Sequence, residues 1–247
     1  IVRDYLEVDL DTQSQWHDRD EAFKAWRDVL EEHGIFVFKD AFRTDGISGF
    51  CLYDEQFPII YVNNSQSKTR QIFTLFHELA HLLFRTGGID QQTDDYLPYI
   101  VDSNNRRIEI LCNRFAGEFL VPDDDFDCRI QGKAINDDMI QNLSNVYHVS
   151  REVILRKLLD RGLVGQSLYE SKIKEWARSA QKSSGKSDGG DYYRTRGVYL
   201  GQRYLEVAFG RYYQNRISIE QLANYLGVKV KNVPGMENLL LSGKGTL

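Results

Sequence analysis

The residues with the clearest potential for chemistry are His77-Glu78-Leu79-Ala80-His81. Two histidines four residues apart lie on one face of a helix, one turn apart, so both imidazoles can bind a single metal ion. The glutamate that follows the first histidine is then placed to act as a general base on the water that such an ion binds. The pattern therefore predicts metal-assisted hydrolysis.

The surrounding residues predict that this helix is buried. Between residues 72 and 84, apolar side chains cover most of the helix circumference. The polar residues fall together in one narrow stripe, which consists of Thr74, His77, Glu78 and His81. Since a helix that is apolar almost all round is a buried one, its polar groups require partners, and a divalent cation would satisfy them. The alternative is a pair of core histidines bonded to the backbone.

A catalytic zinc site normally takes a third protein ligand and leaves the fourth position to water. The downstream candidates are Asp94, Asp95, Asp102, Glu109, Glu118 and His148. Residues 108–120 predict an amphipathic helix. Its buried stripe would be Ile108, Leu111, Cys112, Phe115 and Phe119. Glu109 borders that stripe, whereas Glu118 points nearly opposite, at a spacing that suits an ion pair with Arg114. Glu109 is therefore favoured, with a solvated helix-edge carboxylate as the alternative, and Asn113 is the candidate for orienting a ligand.

A small antiparallel sheet is predicted to precede the metal helix. Residues 19–33 predict a helix, 35–38 a strand, and 47–53 with 59–63 a hairpin. The edge strand of such a sheet could pair with an extended substrate. Residues 89–105 are predicted to form a loop or short helix over the site.

Two short helices are predicted within residues 138–161, with Ser150 as the N-cap of the second. They resemble a helix-turn-helix, but three positive charges on the second helix are few for a DNA reader, so packing is the favoured interpretation. His148 is interpreted as an ordinary turn residue. Direct DNA binding remains the disfavoured alternative.

The C-terminal part is predicted to be mostly helical, which gives an α+β chain in three parts. Residues 1–165 form the hydrolase domain, 166–190 a helix and a flexible linker, and 191–247 a small helical region of unknown role. Within that region we expect one helix over 198–213 and another over 217–228, with Ser218 as its N-cap.

Charge and cysteine usage narrow the class of protein. Residues 1–150 carry 14 basic and 27 acidic residues, which argues against non-specific nucleic-acid binding there and suits a basic substrate. No apolar run is long enough for a membrane span or a signal peptide. The three cysteines show no short-spaced pattern, so a cytoplasmic setting is predicted.

The chain also resembles a known family, that of the ImmA/IrrE zinc metallopeptidases. The run from Arg70 to His81 is similar to the metal-binding core of that family. The run from Glu109 to Pro122 is similar to its E-x-x-A-N-x-F-A-x-x-L-L-x-P pattern. The resemblance extends from about residue 25 to about residue 165, and the departures, such as Cys112 where alanine is usual, remove no residue that the chemistry needs.

The resemblance implies a zincin-like, gluzincin-like core in which Glu109 is the third ligand of one catalytic Zn²⁺, with Mn²⁺ as an alternative ion in vitro. It also implies a cytoplasmic peptidase that cleaves a small basic helix-turn-helix repressor or antitoxin at one site. Such cleavage relieves repression in stress-response, mobile-element, toxin–antitoxin or phage-defence systems.

With zinc held by His77, His81 and Glu109, Glu78 would act as the general base. The candidates for an oxyanion donor or substrate contact are Tyr61, Arg70, Tyr96 and Tyr99. The rival functions are a DNA-binding, toxin or sensor regulator with a structural metal, and an aminopeptidase or other small-peptide hydrolase.

Overall fold

The computed structural model describes residues 1–42, 46–86, 88–91, 103–182 and 192–242. Its helices are α1 (Val2–Tyr5), α2 (Leu10–Gln15), α3 (Arg19–Glu32), α4 (Lys68–Leu83), α5 (Ser103–Leu120), α6 (Asp123–Ile130), α7 (Asp137–Val146), α8 (Arg151–Asp160), α9 (Gln166–Lys182), α10 (Tyr192–Leu200), α11 (Gln202–Tyr213), α12 (Ile219–Leu226), a 3-10 helix at Val230–Asn232, and α13 (Val233–Leu241). Its strands are β1 (Phe36–Asp40), β2 (Ile47–Leu52), β3 (Ile59–Asn63) and β4 (Gly88–Gln91). The predicted α+β class is confirmed. Among the described helices, none combines the length and the hydropathy that crossing a bilayer requires.

The four strands form a mixed sheet in the order β1-β3-β2-β4. The predicted hairpin of β2 and β3 is present, and β4 pairs antiparallel with β2. The expectation of a purely antiparallel sheet was wrong, because β1 pairs in parallel with β3. A hairpin is specified by residues that are adjacent in the chain. The strand that β1 pairs with is instead decided by packing between distant segments, because β1 can add to either edge of the hairpin. The start of the segment predicted as a loop, at residues 89–91, is strand β4.

The described residues form two compact units that do not follow chain order. Unit 1 takes its residues from 1–23, 67–77 and 101–188, and unit 2 from 24–66, 78–100 and 189–247. The predicted division at residues 165 and 190 stays a prediction.

In unit 1, side chains near the N-terminus fix the C-terminal end of α5. Arg3 donates to the carbonyl of Phe119 at 2.5 Å, and Gln13 donates to the carbonyl of Leu120 at 3.0 Å. The ring of Phe76 on α4 stacks on Phe119 with centroids 4.2 Å apart. These contacts hold α5 against the first part of α4, and this packing brings Glu109 to His77.

In unit 2, the C-terminal helices pack on one face of the sheet. Their core residues are Leu200, Leu205, Ala208, Phe209, Leu222, Ala223, Leu226, Val233 and Met236, which pack with Phe38 and with the partly buried Phe36, Ile59 and Tyr61. The single helix predicted over 198–213 was wrong. The chain turns at Gly201, whose φ of +87° suits glycine, and a Cβ at this position would collide with the Arg27 guanidinium.

Candidate metal centre

Helix α4 carries both histidines into a buried position. His77 and His81 are 1% and 2% exposed, and Thr74 and Glu78, which complete the polar stripe, are fully buried. Most apolar residues around them are buried as well, including Leu75 and Phe76. The expectation of burial was wrong at the C-terminal end, where Leu83 and Phe84 are 50% and 41% exposed. Around the two histidines the polar stripe is a buried polar surface of the kind that requires partners.

Helix α5 supplies the carboxylate that completes the group. Glu109 Oε2 lies 3.2 Å from His77 Nε2. The ligand atoms of His77, His81 and Glu109 all lie within 4.8 Å of one another. Two ligands at about 2.0–2.1 Å from a tetrahedral zinc ion would be roughly 3.3 Å apart, so the His77–Glu109 spacing fits such an ion.

The other predicted ligands lie elsewhere or outside the described residues. Glu118 accepts a hydrogen bond from Lys157 Nζ at 2.9 Å, so the expected partner Arg114 was wrong. His148 sits in the turn between α7 and α8, with φ at +56° and its ring 6.1 Å from that of Trp16. Burial lowers the pKa of His148. Asp94, Asp95 and Asp102 lie outside the described residues.

The second ring nitrogen of each histidine has its own partner. His77 Nδ1 lies 2.9 Å from Asn113 Oδ1, which is one turn beyond Glu109 on α5. His81 Nδ1 lies 3.0 Å from Thr86 Oγ1, beyond the end of α4. Both oxygens can accept an Nδ1–H, which leaves each Nε2 with the lone pair that a metal ion needs. Asn113 is predicted from the sequence for this role; Thr86 is not.

Two of the four candidates for an oxyanion donor, Tyr61 and Arg70, lie within the described residues. Tyr61 lies on β3, where its ring stacks on those of Phe38 and Phe50 at 5.3 and 5.1 Å, and burial raises the pKa of its hydroxyl. Arg70 lies on α4 two turns before His77, with its guanidinium 6.0 Å from the Phe73 ring centroid. Tyr96 and Tyr99 lie outside the described residues.

Comparison with known families agrees with this geometry. The IrrE N-terminal-like domain, peptidase family M78, matches residues 30–159, more than half of the 247 residues. The chain belongs to this family. The M78 match covers α4 and α5, the two helices that carry His77, His81 and Glu109. No curated protein matches the chain significantly.

Membership of the M78 family gives the protein a metallopeptidase-like function. Two histidines and one glutamate are a ligand set that catalytic zinc uses in hydrolases. Their geometry, together with Nδ1 partners on both histidines, fits a divalent cation bound by His77, His81 and Glu109. Membership also confirms the ImmA/IrrE resemblance on which the sequence prediction relied.

Proposed function

We propose that the protein is a zinc-dependent, gluzincin-type endopeptidase that cleaves a helix-turn-helix repressor or antitoxin at one site. The observation that carries this proposal is the close group of His77, His81 and Glu109, with both Nδ1 atoms already bonded. A structural zinc site is normally closed by four protein ligands, whereas three ligands beside a buried glutamate suit catalysis. Glu78, which directly follows His77, is that glutamate.

The proposed mechanism assigns each residue a task. His77, His81 and Glu109 hold the ion, and zinc, when bound, supplies a Lewis acid that polarises a carbonyl and makes water acidic near neutral pH. Glu78 accepts a proton from the water as its oxygen attacks the peptide carbon. Glu78 then passes that proton to the amide nitrogen as the C–N bond breaks. An oxyanion donor from the set Tyr61, Arg70, Tyr96 and Tyr99 stays a prediction.

Charge supports the proposed class of substrate. Residues 1–150, which contain the metal-binding group, carry 27 acidic and 14 basic residues. An acidic surface attracts a basic partner over several ångströms, and proteins that bind DNA are basic. Relief of repression in a stress-response, mobile-element, toxin–antitoxin or phage-defence setting belongs to the same proposal. So does a reducing, cytoplasmic location, since the three cysteines form no disulfide.

The rival proposal, a DNA-binding regulator, finds little support in the segment that suggested it. The segment does consist of two short helices, α7 and α8, around a turn, but two of the three cations of α8, and Arg161 in the following turn, form ion pairs within the chain. Arg156 pairs with Asp160 at 3.0 Å, Lys157 with Asp123 at 2.6 Å, and Arg161 with Asp127. These pairings leave fewer cations of the segment for phosphate contacts, which weakens the case for DNA recognition.

The proposal is tested by incubating zinc-loaded protein with the helix-turn-helix protein encoded beside its gene and measuring intact masses. The wild type should give two fragments whose masses sum to that of the substrate plus one water. Glu78→Gln should slow this cleavage by about 10²–10⁴-fold, because general acid–base catalysis is lost. Its zinc affinity should remain near that of the wild type, since Glu78 is not a ligand.

The matched control is Glu206→Gln, a change of the same kind on the exposed face of α11. It should cleave at the wild-type rate. Cleavage by Glu78→Gln at the wild-type rate would remove the assigned base. No cleavage by any variant, together with tight and salt-dependent DNA binding, would favour the regulator instead. Rapid trimming of unrelated short peptides from one end would indicate an aminopeptidase.

A further inference from the structure

We propose that Thr86 is a positioning residue for His81: its hydroxyl holds the His81 ring in the Nδ1–H form and thereby presents Nε2 to the metal ion. The inference deepens the proposed function, on which it rests in taking His81 as a ligand. Thr86 lies five residues after His81, outside the H-E-x-x-H pattern and outside α4.

The end of α4 brings Thr86 back over His81. The helix ends at Leu83, and Arg85 then takes the left-handed conformation with φ at +54°. The backbone N–H of Thr86 donates to the carbonyl of His81 at 2.9 Å, and that of Arg85 donates to Leu82 at 3.1 Å. This pair of bonds, six-to-one and five-to-two, is the Schellman pattern that closes many helices. Its consequence here is that the Thr86 side chain lies beside the His81 imidazole.

Two contacts of the Thr86 hydroxyl favour one tautomer of His81. Thr86 Oγ1 lies 3.0 Å from His81 Nδ1 and 3.4 Å from the carbonyl oxygen of His81, which can accept the hydroxyl hydrogen. A hydroxyl that donates to this carbonyl presents an oxygen lone pair to the ring, and in the proposed arrangement Nδ1 carries the proton and donates to it. A neutral imidazole has one N–H, so Nε2 is left as the metal-binding nitrogen. In water the neutral histidine side chain favours the Nε2–H form, so the bond to Thr86 selects the less common Nδ1–H form.

Asn113 supplies the same kind of contact to His77. That residue comes from α5, a separate helix, whereas Thr86 comes from the segment that follows the metal helix itself. The two histidines are therefore oriented by independent contacts. The partner of His77 is placed by helix packing, and the partner of His81 is placed by a helix cap. Partners of this kind typically change metal affinity or activity by about 10–100-fold when removed.

The test compares Thr86→Val with Thr86→Ser. Valine keeps the shape of threonine without the hydroxyl, and serine keeps the hydroxyl. Zinc affinity, measured by competition with a fluorescent chelator, should fall about 10–100-fold in Thr86→Val and stay within about threefold of the wild type in Thr86→Ser. In metal-free protein, ¹⁵N NMR of the His81 ring at a pH where it is neutral should show the Nδ1–H form in wild type and serine variant, and loss of that form in the valine variant.

A second pair of variants tests the cap itself. Arg85→Gly keeps the left-handed conformation, whereas Arg85→Val disfavours it because a β-branched residue rarely adopts a positive φ. Zinc affinity should therefore fall in Arg85→Val and persist in Arg85→Gly. Far-ultraviolet circular dichroism establishes that all four variants fold.

Unchanged zinc affinity and an unchanged His81 tautomer in folded Thr86→Val would overturn the inference, even if its melting temperature fell. Failure of the proposed peptidase function has a different signature. In that case the tautomer and affinity changes would appear as expected, while neither the wild type nor Glu78→Gln would cleave the repressor.

Discussion

A buried ion pair joins three elements of unit 2, and we expect Arg27→Met to destabilise the protein strongly. Arg27 and Glu31 are 3% and 5% exposed and pair on α3 at 3.0 Å. Arg27 also donates to the carbonyl of Val198 in α10 at 2.6 Å and to that of Val37 in β1. One guanidinium thus satisfies acceptors on α3, on strand β1 and on α10 of the C-terminal region.

The size of the expected loss of stability follows from the hydrogen-bond acceptors that methionine cannot satisfy. Methionine fills much of the space of Arg27 but donates no hydrogen bond, so the Glu31 carboxylate and two carbonyls lose a buried partner. Removing one member of a buried ion pair costs about 3–5 kcal/mol, and a buried acceptor without a partner costs about 1–3 kcal/mol. Since these costs overlap, we expect a loss of about 4–6 kcal/mol, against about 5–15 kcal/mol for a whole domain. Arg27→Met/Glu31→Met removes the charge as well and should regain about 2 kcal/mol of that loss.

The pH dependence of the stability of Arg27→Met provides an independent test of this ion pair. Burial raises the pKa of Glu31 above its ordinary value of 4.5, and the charge of Arg27 opposes this rise. Without Arg27 the pKa of Glu31 should rise further, so the folded state binds the proton more tightly than the unfolded state. Stability then falls as pH rises through the folded pKa, and the single variant should regain stability on acidification toward 4.5. The double variant should lack this gain.

Urea unfolding followed by circular dichroism measures these differences, at neutral pH and on acidification. Lys24→Met, which removes a less buried cation from the same helix, is the matched control and should cost less than about 1 kcal/mol. Two results would refute the reasoning. One is a stability of Arg27→Met within about 1 kcal/mol of the wild type, and the other is a double variant no more stable than the single one.

Two further changes separate metal binding from folding. Asn113→Leu removes the acceptor for His77 Nδ1 and should weaken zinc binding about 10–100-fold in a chelator competition, while unchanged affinity would show that Asn113 orients nothing. Ser218→Ala breaks a reciprocal cap with Gln221 on α12 and should cost about 0.5–2 kcal/mol by urea unfolding, with zinc affinity unchanged. An unaltered unfolding midpoint in Ser218→Ala would contradict the assigned cap.

The sequence indicates which side chains lie together at the candidate metal centre, because each step of that prediction depends on residues that are near in the chain. A spacing of four puts His77 and His81 on one helix face, and the periodicity of α5 leaves few faces for Glu109 and Asn113. The structure brings these four residues together. The role of Thr86 could not be predicted in this way, because its position depends on the left-handed conformation of Arg85. A residue other than glycine gives no sequence signal for that conformation.

Packing between distant segments is where the sequence predictions fail. Leu111, predicted in the buried stripe of α5, is 49% exposed, whereas Cys112 beside it is fully buried. Periodicity identifies the apolar side of a helix. How much of that side is buried depends on the elements that pack against it. The parallel neighbour of β1 and the turn at Gly201 have the same origin, since each is fixed by residues far away in the chain.

The helix pair α7–α8 shows that such long-range contacts also bear on the interpretation of a helix-turn-helix pattern. Its local pattern is that of a helix-turn-helix, with buried Ser144 and Ile154 on either side of a left-handed turn residue, His148. A helix that reads DNA must offer cations to phosphates. Lys157 instead lies 2.9 Å from Glu118, 39 residues earlier on α5, and the Arg151 guanidinium lies 4.5 Å from the Trp176 ring centroid. The count of charges on α8 is visible in the sequence, but their partners are not. The same helical pattern therefore supports packing beside α5, the helix that carries Glu109, rather than recognition of a nucleic acid.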